Sequence, residues 1–187
     1  MEQQLHLFQR VSRFMAREMT LAEMLQSTVN LIVEFMRSDA CLLYLFDHDD
    51  LVLCSSSNPT DSIGRIRLKL GEGLTGWVAR ERRFVAISSE AYKDHRFKNF
   101  SELPEDSFEA FLSAPVIARN RVVGVINVQH RAPHSYSGEE METLATAGEL
   151  IGSLLVMSRV DSKALDSGNH ADLVLSALPQ PALSQRS

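Results

Sequence analysis

Cysteine is scarce in this chain: Cys41 and Cys54 are the only two in 187 residues. Two thiols do not make the cysteine framework of a small secreted scaffold. Both sit in apolar, strand-like segments, so buried free thiols in a reducing cytoplasm are expected, with a Cys41–Cys54 disulfide open if their strands pair. No apolar run approaches the roughly 18 residues of a membrane span. The N-terminus carries Glu2 and interleaved polar residues instead of a basic start and an apolar run, so no signal peptide is expected. Basic excess is also missing. The net charge is −5, which disfavours a general phosphate-binding surface and hence nucleic acid. No G-x-S-x-G is present for a serine hydrolase. The acidic turn Asp47-His48-Asp49-Asp50 lacks the glycine and the distant glutamate of an EF-hand loop, so no metal is assigned.

What is present is a 44% hydrophobic composition, enough for a full core. The length fits one domain with an extra tail. The chain turns on Leu68 to Ala79, where Gly71, Gly73 and Gly76 follow a strand and open a short helix. The spacing is formally G-x-G-x-x-G, the dinucleotide fingerprint. Its context is wrong for one. The preceding strand, Arg65 to Leu70, alternates apolar and charged residues, whereas a first Rossmann strand is apolar throughout. The helix after the glycines is too short to cross back to a parallel strand. A strand-to-helix corner that drops Trp77 and Val78 into a core or pocket fits better.

Apolar periodicity predicts a first helix over residues 3–19 through Leu5, Phe8, Val11, Met15 and Met19, and a second to about Arg37. Thr20 and Glu23 form a capping box for the second, whose broad stripe suits a sheet. Strands follow at 40–46 and 51–55 around the acidic turn, then at 65–70 and 84–87. Residues 88–108 are polar and irregular, punctuated by Tyr92, Phe97, Phe100 and Phe108. A loop this long inside a compact domain is unusual and is most often functional; it reads either as a lid over something apolar or as a surface loop pinned by rings. Strands 111–118 and 122–130 form a hairpin whose turn chemistry comes from Asn120, and Pro115 marks a bulge or an edge. Phe111, Ser113 and Pro115 share one face, as do Val123, Val125 and Asn127. Ser113 and Asn127 are polar breaks that either bind a ligand or satisfy nearby backbone. Ser137 and Glu140 form a second capping box, with Tyr136 and Met141 as its hydrophobic staple. The helix that follows carries Met141, Leu144, Gly148, Ile151 and Leu155 at coiled-coil-like spacing. Residues 159–187 read as a mobile tail.

The order of these elements, with Leu70-Gly71-Glu72-Gly73-Leu74-Thr75-Gly76-Trp77-Val78-Ala79, Ser113-Ala114-Pro115-Val116-Ile117, Gly124-Val125-Ile126-Asn127-Val128 and the capped helix from Ser137, resembles a GAF domain over residues 1–158. Asp94-His95-Arg96-Phe97, Phe111-Leu112 and Val128-Gln129-His130-Arg131 are similar to the sensory GAF domains found at the N-terminus of nitrogen-related phosphotransferase enzymes I. The resemblance implies an α+β, PAS-related fold: a six-stranded, mostly antiparallel sheet with helices on one face and a small-molecule pocket on the other. It also implies a homodimer formed through the terminal helices, with Phe8, Met15, Met141, Leu144, Gly148, Ile151 and Leu155 as the candidate contacts. GAF domains regulate an output domain. Residues 159–187 are too few for one, so either a separate signalling output protein or a longer parent chain is expected.

Within this frame the candidate ligand contacts are Trp77, Phe97 and Phe111 as apolar walls and Arg96, Ser113 and Asn127 as polar anchors, Arg96 suiting a carboxylate or phosphate. Cyclic nucleotides are disfavoured because Gln129-His130, Tyr136 and Glu139-Glu140 stand where that group of GAF domains has other residues. A covalent bilin lacks a cysteine after Cys54, and His95 and His130 do not by themselves argue for haem; no cofactor is assigned. The expected function is a non-catalytic, cytoplasmic sensor. A dimerisation module with a vestigial pocket is the alternative, followed by a reductase of free methionine sulfoxide, which needs an activated thiolate near the pocket.

Overall fold

Two capping boxes anchor the helical layer. In the computed structural model, which describes residues 2–17, 19–97 and 108–158, Thr20 accepts from the Glu23 backbone while the Glu23 carboxylate accepts from the Thr20 backbone. Ser137 and Glu140 repeat the arrangement. Each box satisfies amides that a helix start leaves without partners. The helices so begun are α2 (Leu21–Met36) and α4 (Gly138–Met157), and α1 (Glu2–Met15) precedes them.

The six strands are β1 (Ala40–Asp47), β2 (Asp50–Ser56), β3 (Arg67–Lys69), β4 (Val85–Ile87), β5 (Ala110–Ala118) and β6 (Arg121–His130). They lie in the order β3-β2-β1-β6-β5-β4, and every pairing is antiparallel. The sheet has an apolar cluster on each face. On one, α1, α2 and α4 pack Leu7, Val11, Ile32, Leu144 and Ile151 against Leu43, Leu45, Leu112 and Ile126. On the other, α3 (Gly73–Glu81) sets Leu74, Val78 and Ala79 against Leu42, Tyr44, Phe111 and Val125. The expected α+β, GAF-like layering is present, with α3 on the face expected to carry the pocket.

Several expectations change in detail. Only three residues of the predicted 65–70 strand pair as β3. Helix α1 buries Leu7 and Val11, whereas Leu5 and Phe8 are 58% and 52% exposed. Cys41 and Cys54 lie on paired strands yet are free, because Cys41 is hydrogen-bonded to Ser57, three residues along the chain from Cys54. Val123 does not share a face with Val125: a second shift between Val116 and Ile117 turns it to the helical layer, since one extra residue reverses the side-chain alternation. That shift adjoins Pro115, which also lies beyond the end of β4, whose pairing stops at Val85 opposite Ser113. The β5–β6 turn is Arg119-Asn120, with φ of 48° and 63°, the left-handed pair that a two-residue hairpin requires.

The seam proposed for a partner helix faces this chain's own sheet. Leu144, Ile151 and Leu155 are fully buried in the helical-layer core, and Met141 packs on its margin. A Cβ on Gly148 would stand 3.0 Å from the Pro115 carbonyl, so this glycine lets α4 approach β5. The same 3.6-residue stripe serves either purpose, and the sheet takes it.

Candidate functional site

The candidate site grows from the glycine corner. Gly71 and Gly73 have φ of 84° and 66°, values that glycine adopts without strain. A Cβ on Gly76 would sit 2.5 Å from the Lys69 carbonyl, so only glycine lets α3 start this close to β3. The tight corner lays α3 across the sheet with Thr75 pointing inward.

Thr75 reaches a buried polar chain. Ser113 and Asn127 are directly opposite across β5 and β6. Ser113 Oγ donates to Asn127 Oδ1 over 2.6 Å, and Asn127 Nδ2 donates to Thr75 Oγ1 over 2.7 Å. All three side chains are buried. The two polar breaks seen in the sequence thus satisfy one another and fasten α3 to the sheet; Thr75, which completes the chain, was not singled out.

Beside this chain stands a ring cluster. Phe111 is buried, and Trp77 and Phe97 are half-buried against the same α3-face core. The Arg96 guanidinium lies over the Trp77 ring, 4.7 Å from its centroid, a cation–π contact. Arg96 is held there by a two-point contact to Asp94, Nε to Oδ1 at 2.9 Å and Nη2 to Oδ2 at 2.8 Å. The Arg96 hydrogen bonds pull the Asp94 carboxyl down to about 2, so the pair is ionised at neutral pH. All six candidate ligand contacts therefore lie on one face of the sheet. Asp94, the partner of Arg96, was missed although its place two residues away offered a local signal.

The stems of the predicted lid meet at Glu109. Ala91 N donates to the Glu109 carbonyl and Glu90 N to the Glu109 carboxylate, both over 2.9 Å. Residues 98–107, including Phe100, lie outside the described residues, as do the Met15 side chain and residues 159–187.

A second polar cluster joins the end of β6 to the start of α4. The His130 and His134 rings stack 4.1 Å apart. His130 Nδ1 is 3.1 Å from the Tyr136 hydroxyl, and His134 Nε2 is 2.6 Å from Glu140 Oε1. Burial and the neighbouring His134 lower the His130 pKa. Tyr136, one residue before the Ser137 N-cap, ties His130 to the start of α4.

The two thiols are on the helical face, opposite α3. Burial pushes the Cys54 thiol up to about 12 and Cys41 higher still, far from the depressed values of reactive cysteines. No group of three or more His, Cys, Asp or Glu suited to a metal ion occurs among the described residues, and no helix among them is long and apolar enough to cross a membrane.

A curled antiparallel sheet with three helices on one face and a glycine-started helix on the other defines a sensory-domain fold. The family model of the GAF domain matches residues 18–156, and the chain belongs to that family. It is 28% identical over 143 residues to a Salmonella typhimurium protein named phosphoenolpyruvate-dependent phosphotransferase system; the match covers 75% of this chain and 19% of that protein. The chain thus spans about a fifth of the length of that relative. Among solved structures it is similar to the GAF domain of a phosphoenolpyruvate-protein phosphotransferase from Acinetobacter, with 28% identity, a TM-score of 0.73 and 86% and 96% of the two chains covered. The corresponding domain from Coxiella burnetii shares the fold at 24% identity, with a TM-score of 0.77 and 84% and 95% covered. The free methionine-R-sulfoxide reductase of Neisseria meningitidis also shares the fold, at 16% identity, a TM-score of 0.69 and 83% and 90% covered.

Proposed function

We propose that this GAF domain is a non-catalytic regulatory module that binds a small polar metabolite on its α3 face. The observation that carries the reading is the placement of Arg96 over the half-buried Trp77, beside Phe97 and Phe111 and next to a buried hydrogen-bonded chain. Small-molecule sites combine apolar walls with a few oriented polar groups. Binding would change the fit of α3 on β6. Homodimerisation is assigned to the outward face of α1, where Leu5 and Phe8 are 58% and 52% exposed; the Leu144–Leu155 stripe is buried within the chain. The similarity to phosphotransferase proteins favours an output in phosphotransfer signalling, carried by a longer chain or a separate protein.

Catalysis by the fold's sulfoxide-reductase chemistry is disfavoured by the position of both thiols. They are buried on the opposite face and their pKa values are raised. One observation favours the alternative of a dimerisation module with a vestigial pocket: Ser113 and Asn127 already satisfy each other.

A thermal-shift screen of small carboxylates, phosphates and amino acids tests the sensor reading, because a ligand specific for the folded state raises the melting temperature. The expected result is a hit whose calorimetric affinity falls in Phe97→Ala and Arg96→Ala. A screen without hits, or a hit indifferent to both substitutions, would favour the vestigial pocket.

A further inference from the structure

The chain is acidic overall, yet its α3 C-terminus and its β5–β6 turn carry five arginines against one glutamate: Arg80, Arg82, Arg83, Arg119 and Arg121, with Glu81. The two segments are fastened together. Arg82, the left-handed residue that ends α3, donates from Nη2 to the Asn120 carbonyl over 2.8 Å. That contact joins the α3 C-cap, which Arg83 follows, to the turn formed by Arg119 and Asn120. Glu81 is taken up by Arg80 at 2.8 Å. Among the described residues no ion pair involves Arg83 or Arg119, and both side chains are exposed.

An apolar groove continues from this patch. It runs between the end of β5 and the last turns of α4, has a volume of about 330 Å³, and is lined by Ile117, Arg119, Val156 and Met157. Phe84, next to Arg83, is 41% exposed. Arginine and exposed large apolar side chains beside a groove are the composition of a protein-recognition surface. A nucleic acid would ask for an extended basic stripe, and the net charge of −5 opposes one.

The geometry points to a docking surface, formed by the α3 C-terminus, the β5–β6 turn and the α4 groove, for an acidic protein segment that carries a large apolar side chain. The acidic side chains meet Arg83 and Arg119, and the apolar one enters the groove beside Val156 and Met157. Charge complementarity selects the partner and speeds encounter, and the groove holds it. This surface is separate from the Trp77 site, so either can fail without the other.

The test is fluorescence anisotropy of a labelled twelve-residue peptide of glutamate and aspartate with one central leucine, titrated with the full chain. Binding is expected that weakens steeply with added salt. It should fall about tenfold or more in R83E/R119E, and less in R83Q/R119Q, because reversal adds repulsion to lost attraction. R17E, which changes an exposed arginine elsewhere, should bind as the wild type does. Circular dichroism of each variant checks the fold. Absence of binding to the wild type, or equal binding by R83E/R119E, would overturn the proposal. So would an oligonucleotide that displaces the peptide and binds more tightly, or a homodimer that R83E/R119E dissociates, since either would give the patch to another occupant.

Discussion

Asn127 Nδ2 donates to Thr75 Oγ1 over 2.7 Å, and this one bond ties α3 to a central strand. Asn127 also accepts from Ser113. Replacing Asn127 by Ala leaves two buried hydroxyls without partners, at a cost of about 1–3 kcal/mol. Urea unfolding should show that loss. Adding Ser113→Ala and Thr75→Val removes the stranded groups and should recover part of it. A triple variant no more stable than the single one would mean that the chain does not act as a unit.

Glycine substitutions separate close approach from mere absence of a side chain. At Gly124 a Cβ would collide with the Tyr44 carbonyl, and at Gly152 with the Ile117 carbonyl. Both obstacles are backbone, which cannot rotate away, so Gly124→Ala and Gly152→Ala should each lower the melting temperature by several degrees, corresponding to about 1–3 kcal/mol. Gly138 meets nothing within 4 Å, and Gly138→Ala should leave stability unchanged or raise it, since alanine restricts the unfolded chain.

Acid should weaken the β6–α4 junction before it touches the Asp94–Arg96 pair. Burial and His134 hold the His130 pKa below its ordinary 6.5, while the Met36 backbone, Asp39 and Glu140 act to raise it. The unfolded chain therefore binds the His130 proton first. Stability is full above about 6.5 and declines as pH falls through the lower folded value. Urea midpoints from pH 7.5 to 5 should fall, and His130→Gln should flatten that slope. The Asp94 carboxyl, held near 2 by Arg96, loses its contribution only in much stronger acid.

Thiol chemistry gives a further check. Cys41 and Cys54 are buried and their pKa values are raised by burial. Ellman's reagent should leave both unmodified in the native protein at pH 8 and titrate two thiols in denaturant. Fast native labelling of either would reopen the thiol-dependent reading.

Local signals in the sequence are the most legible. Thr20 with Glu23 and Ser137 with Glu140 fix helix starts through contacts three residues apart, and Asn120 fixes its turn by its own backbone preference. The face of a residue beyond a bulge is not local. Val123 crosses to the helical layer because of a register shift against Val116 and Ile117 on another strand. The α4 stripe was visible, but periodicity does not say whether a sheet or another helix covers it; Pro115 lying 3.0 Å from the position of a Gly148 Cβ decides for the sheet. At the candidate site, the residue types were legible and their partners were not. Asn127 needed Thr75, 52 residues earlier, and that pairing exists only once α3 folds over the sheet.

Trp77 is the only tryptophan in the chain, so its emission reports on the candidate site alone. Titrating the ligand found by thermal shift while recording that emission tests the sensor account most directly. The account predicts a saturable change in the wild type, with the midpoint moved at least about tenfold in Arg96→Ala, as expected when a charged hydrogen-bond donor to a ligand is lost. Emission that stays constant while calorimetry reports binding would place the ligand elsewhere and contradict it.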